Sequence, residues 1–297
     1  MKKWCLFLSL YFCLCLLAAC AGGDISAAGA DSGGTPSEET QAGGETTEPG
    51  QVTETFRLVA VEDSDDPASV LAKMDGGAGD VYTLDISGVE DLTIEGYTQE
   101  QMALLDWAPV AGALVEITWD GTVLESYPAQ FGAVDSVRIL EDDFNDLCRL
   151  YLDVLNDLWE VDPGLNDGIT ELGVDLSETS LPESERSAVA YAFGMDHGLM
   201  PVEGTYQELV DQGYIDGEEL FWEAGCLFSI KEIQDEDPVV FSLPSIGPGD
   251  EIPDYSGVRF DAEKWRGGTG AYSFTNCTAA SLDGHWNVYT VGAEAIS

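Results

Sequence analysis

The chain has 297 residues, 56 of them acidic against 11 basic, which gives a formal charge of −45 with 44% hydrophobic residues. That balance excludes nucleic acid, because a phosphate-binding surface needs clustered Lys and Arg to displace counterions, and anionic lipid headgroups are repelled in the same way. A surface of this kind stays soluble and collects divalent cations only loosely.

Lys2 and Lys3 open the chain, an apolar run follows over 4–17, and the small residues Ala18 and Ala19 precede Cys20. This is the order of an export signal. The run is short for a transmembrane helix, which needs about 20 residues. The segment Leu17-Ala18-Ala19-Cys20, followed by Ala21, resembles the lipobox of bacterial membrane lipoproteins of the Gram-positive type. The resemblance implies a signal peptide over 1–19, cleavage before Cys20, and a diacylglycerol on the Cys20 thiol. The protein is then anchored through its N-terminal lipid, extracellular, on the outer face of the cytoplasmic membrane. Two acyl chains suffice for stable anchoring, at about 0.8 kcal/mol per buried methylene. An ordinary secretory signal with an incidental cysteine is the competing reading. Cleavage removes two lysines and no acid, leaving nine bases against all 56 acids, a charge of −47.

Residues 20–53 read as the lipidated cysteine and an acidic Gly/Ser/Thr/Glu tether, since 21–53 carry six acids, no base and no aromatic residue. Such a composition does not support a core, and a flexible coil of this length reaches roughly 30 Å. A first folded unit is expected over 54–141. Its strands fall at 56–61, 81–86, 114–119, 123–127 and 134–140, with period two. In the third, Val115, Ile117 and Trp119 share one face, and Asp120-Gly121 predicts a tight hairpin that pairs the third strand with the fourth. Pro128 removes a ladder donor, which places its segment at an edge or bulge. The region 113–140, through Trp119-Asp120-Gly121 and Glu125-Ser126-Tyr127-Pro128-Ala129-Gln130, is similar to an uncharacterised domain of Gram-positive secreted proteins. That resemblance implies a small all-β barrel of OB type and no activity.

The second unit, 142–297, is expected to be an α+β domain with an antiparallel sheet. Phe144, Leu147, Leu150, Tyr151, Val154, Leu155, Leu158 and Trp159 predict a helix over 143–161 that Pro163-Gly164 ends. A strand over 169–176 follows, then two helices opened by capping boxes, Ser180 with Glu183 and Thr205 with Glu208, the second closed by Gly213. Strands are expected at 226–233, 258–264, 271–278 and 286–291, with Asp283-Gly284 turning the last hairpin. The stretch Phe260-Asp261-Ala262-Glu263-Lys264-Trp265-Arg266 with Gly270-Ala271-Tyr272 resembles a C-terminal region of uncharacterised envelope proteins, some of which carry membrane metallopeptidase domains. The zinc motif of such peptidases needs two histidines one helical turn apart, and His197 and His285 are far apart in sequence.

Few motifs carry chemistry. No G-x-S-x-G, S-x-x-K or phosphate-binding glycine loop is present, and no cofactor and no metal site are expected. Asp162-Pro163-Gly164-Leu165-Asn166-Asp167-Gly168 lacks the closing Glu of a calcium loop and reads as a turn. His197 marks a helix C-terminus. Of Cys148, Cys226 and Cys277, the last two are the pair that a disulfide would join, with buried free thiols as the other reading. Arg259, Lys264 and Arg266 lie within eight residues of a chain poor in bases. They read either as a small anion-binding patch or as internal partners of nearby acids.

Together these features point to a noncatalytic envelope lipoprotein that binds a protein, peptide or cell-wall component. The alternative is a carboxylate-dependent hydrolase of envelope glycans, which needs two carboxyls about 5 to 9.5 Å apart, one with a raised pKa. The anchor has a direct check: Cys20→Ala is expected to leave an unlipidated, uncleaved precursor, measured by metabolic labelling with a tritiated fatty acid, whereas a variant labelled and retained like wild type removes the assignment.

Overall fold

A computed structural model describes residues 50–61, 68–102, 108–234 and 255–297. The lipobox residues Leu17, Ala18, Ala19 and Cys20 and most of the tether lie outside the described residues. The fold is predominantly β, with two sheets, one of them a curled half-barrel. Among the described residues no helix is long and apolar enough to cross a membrane.

The first sheet contains β1 (Val52–Val61), β2 (Ser69–Lys73), β3 (Val81–Leu84), β4 (Leu92–Ile94), β5 (Leu114–Trp119), β6 (Val123–Leu124), β7 (Ala129–Phe131) and β8 (Val134–Leu140). Their order is β4-β8-β5-β1-β2-β3-β7-β6. A four-residue helix, α1 (Gln99–Met102), lies between β4 and β5. The expected pairing of the third and fourth predicted strands across Asp120-Gly121 does not form: β5 is flanked by β1 and β8, and β6 pairs with β7. Asp120 N donates to Ala133 O and Gly132 N to Thr122 O, so β5 runs on into β6 opposite β7 and β8 as one long hairpin. Gly121, at φ +80°, is an irregularity within that hairpin. Its true turn holds Pro128, away from any ladder. The same β7 pairs in parallel with β3, so the β7–β8 leg touches β3 at its start and β5 along its length.

Inside this curled sheet Phe56, Tyr82, Trp119 and Phe131 meet mostly edge to face at 4.9–6.2 Å among Leu58, Ile117 and Val137. Such pairs add to the area they bury. The outward residues Val59, Val70, Ala72 and Val81 are buried too, against helices of the second half. Strands buried on both faces lose the alternation that announces them, which is why β2, Ser-Val-Leu-Ala-Lys, escapes the periodicity test.

The second half holds α2 (Leu147–Glu160), β9 (Glu171–Glu178), α3 (Glu183–Asp196), β10 (Pro201–Glu203), α4 (Tyr206–Asp211), β11 (Gly225–Glu232), β12 (Tyr255–Gly267), β13 (Gly270–Leu282), β14 (His285–Trp286) and β15 (Ala293–Ile296). The sheet is mixed and not purely antiparallel: β10-β9-β11 run parallel, β11-β12-β13 antiparallel, and β14 and β15 both pair with β13. The cause is the two helical connections, α3 and α4, since parallel neighbours require crossovers. Thr205 and Glu208 form the predicted capping box of α4. The Ser180–Glu183 box does not form; α3 starts after Pro182, and Ser180 N and Oγ both donate to Glu232. Asp283 and Gly284, with φ of +50° and +78°, turn the β13–β14 hairpin as expected. Helices α2 and α3 cover one sheet face through Leu150, Tyr151, Val154, Phe193, Phe228, Phe260 and Phe274.

Cys226 and Cys277 are free, buried thiols, as is Cys148, so the disulfide is absent. Burial pushes the first two thiols up to about 12. Between the ordinary thiol pKa near 9 and 12 the folded state therefore binds more protons than the unfolded one, and this part of the stability is full below pH 9 and lost as pH rises. A thiol-reactive chromophore at pH 8 is expected to label Cys148, Cys226 and Cys277 only after denaturant is added; prompt labelling of the native protein would contradict the burial.

Candidate functional site

Lys264, Arg266 and Arg259 come from one strand, β12, but do not make a patch. Strand alternation puts Arg259 on the face opposite Lys264 and Arg266. Lys264 has no exposed surface. Its Nζ donates to Val161 O, to Asn166 Oδ1 at 2.7 Å and to Trp159 O at 3.4 Å, and burial holds its pKa below the usual lysine value. Arg266 donates to the carbonyls of Leu165 and Asp167, both at 3.1 Å, and of Glu223 at 2.9 Å. Lys264 thus satisfies carbonyls that the end of α2 leaves open, and Arg266 holds the 162–168 turn against Glu223. Trp265, on the other face, meets Tyr206 edge to face. The anion-binding reading fails because the donors are already used within the fold.

The same holds across the described residues. Lys73 pairs with Glu54, Arg138 with Glu116, Lys231 with Glu178, and Arg149 with Asp146 and Asp153. Arg186 donates to Ser177 O, and Arg259 is likewise engaged. With acids in fivefold excess, every described base is drawn into structure.

The remaining base, Arg57, builds the site. It points out of β1 toward the segment joining β8 to α2 and is 6% exposed. Its Nη1 donates to Gly112 O at 2.8 Å and to Asp143 O at 2.6 Å. Its Nε stands 3.6 Å from Glu185 on α3, both side chains being 7% exposed. Glu185 also accepts from the Cys148 thiol at 3.3 Å, and burial with that carboxylate raises the thiol pKa well above its ordinary value. The joining segment is held from its other side by the β13–β14 turn. Asp146 N donates to Gly284 O, Trp286 N to Asp146 Oδ1 at 2.7 Å, and Trp286 Nε1 to Asn145 Oδ1 at 2.9 Å. Gly284 is required twice over: its φ is positive, and a Cβ there would fall 1.6 Å from Phe144 O.

These contacts leave a cleft of about 560 Å³ between the two sheets. Met74, Leu114, Phe144 and Trp286 give it apolar and aromatic walls, Ser256 and Ser281 add hydroxyls, and Glu141, Asp142, Asp143 and Asp283 supply carboxylates. Exposed His285 stacks on Phe144 at 4.1 Å. The other histidine, His197, caps α3, stacks on Trp159 at 3.8 Å and bonds Asn156, and burial keeps its pKa below the usual value. The carboxyls whose pKa is raised by burial, Asp153 and Glu203, lie outside the cleft. Among the described residues no three His, Cys, Asp or Glu groups converge as a metal site. The sequence places Phe144 on a helix and Asp283-Gly284 in a turn but does not group the cleft residues as a site, because acids are so common; the one local signal is the run Glu141-Asp142-Asp143 at the junction.

No protein-family model matches the chain, and no curated protein is similar to it in sequence.

Removing one partner of a buried ion pair costs about 3–5 kcal/mol, while replacing both is far milder. Urea unfolding is therefore expected to show Arg57→Met and Glu185→Leu each losing about 3–5 kcal/mol and the double variant losing less than their sum. Additive losses would mean that the pair is not coupled.

Proposed function

We propose that this protein is a lipid-anchored, noncatalytic module of the cell envelope, held at the outer face of the cytoplasmic membrane by Cys20, whose cleft between the two sheets binds a protein, peptide or cell-wall component. The observation that carries this reading is the cleft itself. Binding sites favour concave surfaces with apolar walls and a few placed polar groups, and here Phe144 and Trp286 stand beside carboxylates and two serines on a rigidly held junction. The tether composition supports presentation of such a site away from the membrane. The first sheet is read as an OB-type barrel: its path β1-β2-β3, then the β7–β8 leg, then β5 and back to β1 supports that assignment. OB barrels bind extended ligands, and this one carries no basic groove.

Thermal unfolding against a panel of muropeptides, wall glycans and stem peptides tests the reading. A ligand at a hundredfold excess over its Kd stabilises the native state by about 2.7 kcal/mol, which raises the Tm by roughly 5–10 °C in a domain of this size. Ser256→Trp, which fills the exposed side of the cleft, is expected to abolish the shift. Shortening of the glycans by the wild type, lost in Asp142→Asn or Asp283→Asn, would replace this function with the carboxylate-dependent hydrolase.

A further inference from the structure

We propose that Lys264 and Asn166 join in an intramolecular amide cross-link, formed by the folded chain itself with loss of ammonia. Lys264 stands where strand alternation reserves a place for an apolar residue. Val258, Phe260 and Ala262 occupy the same buried row of β12, and Lys264 continues it between its cross-strand partners Phe228 and Tyr272. A lysine in that row is costly as an ion unless a countercharge answers it. None of the ion pairs among the described residues includes it. Its three acceptors, the carbonyls of Trp159 and Val161 and the carboxamide of Asn166, are all uncharged. Desolvation therefore favours the free amine, and a desolvated lysine amine is a nucleophile.

The other reactant is held as firmly. Asn166 is itself buried, and its Oδ1 lies 2.7 Å from Nζ. The carbonyl carbon is one bond further on, so a rotation of the carboxamide brings it to attack distance. Arg266, from the same strand, takes the carbonyls on either side of it, Leu165 O and Asp167 O, both at 3.1 Å. A lysine that only closed the end of α2 would need Trp159 O and Val161 O alone; the clamped carboxamide is the additional feature. In the step the Nζ lone pair bonds to Cγ, the Cγ–Nδ2 bond breaks, and one Nζ proton passes to Nδ2, which leaves as ammonia. Asp162 and Glu160, the two carboxylates whose field reaches Nζ, relay that proton. The remaining Nζ proton becomes the amide N–H and keeps a donor for Val161 O. Nothing is oxidised or reduced, and no co-reactant is needed.

Tryptic mapping by mass spectrometry tests this on the folded full-length chain, reduced and denatured just before digestion. The expected result is a branched peptide, 150–186 joined to 260–266, lighter than the two together by one ammonia and left uncleaved at Lys264. In Lys264→Met the 150–186 peptide is expected at its full sequence mass, and in Asn166→Ala trypsin is expected to release 260–264. Separate 150–186 and 260–264 peptides from the wild type, with no branched product, overturn the cross-link. A 150–186 peptide that has lost ammonia by itself, in the wild type and in Lys264→Met alike, is a succinimide at Asn166-Asp167 and overturns it as well. The wild-type map decides between these outcomes even where a variant fails to fold.

Discussion

The buried pair between Arg57 and Glu185 is the interaction on which the architecture turns. It joins β1 of the curled sheet to α3 of the second half, and through Gly112 and Asp143 the same guanidinium fixes the chain where one half leads into the other. A charge so far from solvent costs several kcal/mol unless it is met on most sides. Here Glu185 supplies the countercharge and two carbonyls take hydrogen bonds. Arg57 Nε makes no hydrogen bond and meets Glu185 through charge alone; the two bonds from Nη1 fix the Gly112 and Asp143 carbonyls beside the cleft.

The second constraint is the shared helical layer. Val59, Val70, Ala72 and Val81 of the first sheet are buried in the same apolar cluster as α2, α3 and the second sheet. Thr47–Ser297 consequently form one compact unit. Hydrophobic burial of about 1.5–3 kcal/mol per large side chain outweighs what any exposed ion pair contributes, at about 0–1 kcal/mol. The apolar layer therefore holds the fold, and the exposed ion pairs add little to it.

Much of the fold was legible where a single face is buried. The 114–119 and 134–140 strands lie where alternation put them, and the Thr205–Glu208 box and the Asp283-Gly284 turn are local chemistry that needs no distant partner. Legibility failed where partners were distant. Asp120-Gly121 carries a hairpin signature but sits inside a longer hairpin, because β1 and β8 already occupy both edges of β5. Ser180 has the chemistry of a helix cap, yet Glu232, far along the chain, takes its donors.

The sequence by itself determined the charge, the resemblance of its first residues to a lipobox, and the elements whose hydrogen bonds close within a few residues. Only the tertiary structure decided what the scarce bases do. Arg57, Lys264 and Arg266 look alike in sequence, and two of them formed an apparent ligand patch. Long-range packing instead brought carbonyls of residues about 40 to 105 positions away against Lys264 and Arg266, and placed Arg57 behind a cleft whose walls come from both sheets. The physical reason is that a buried cation is defined by the acceptors around it, and those acceptors are assembled only when the chain folds.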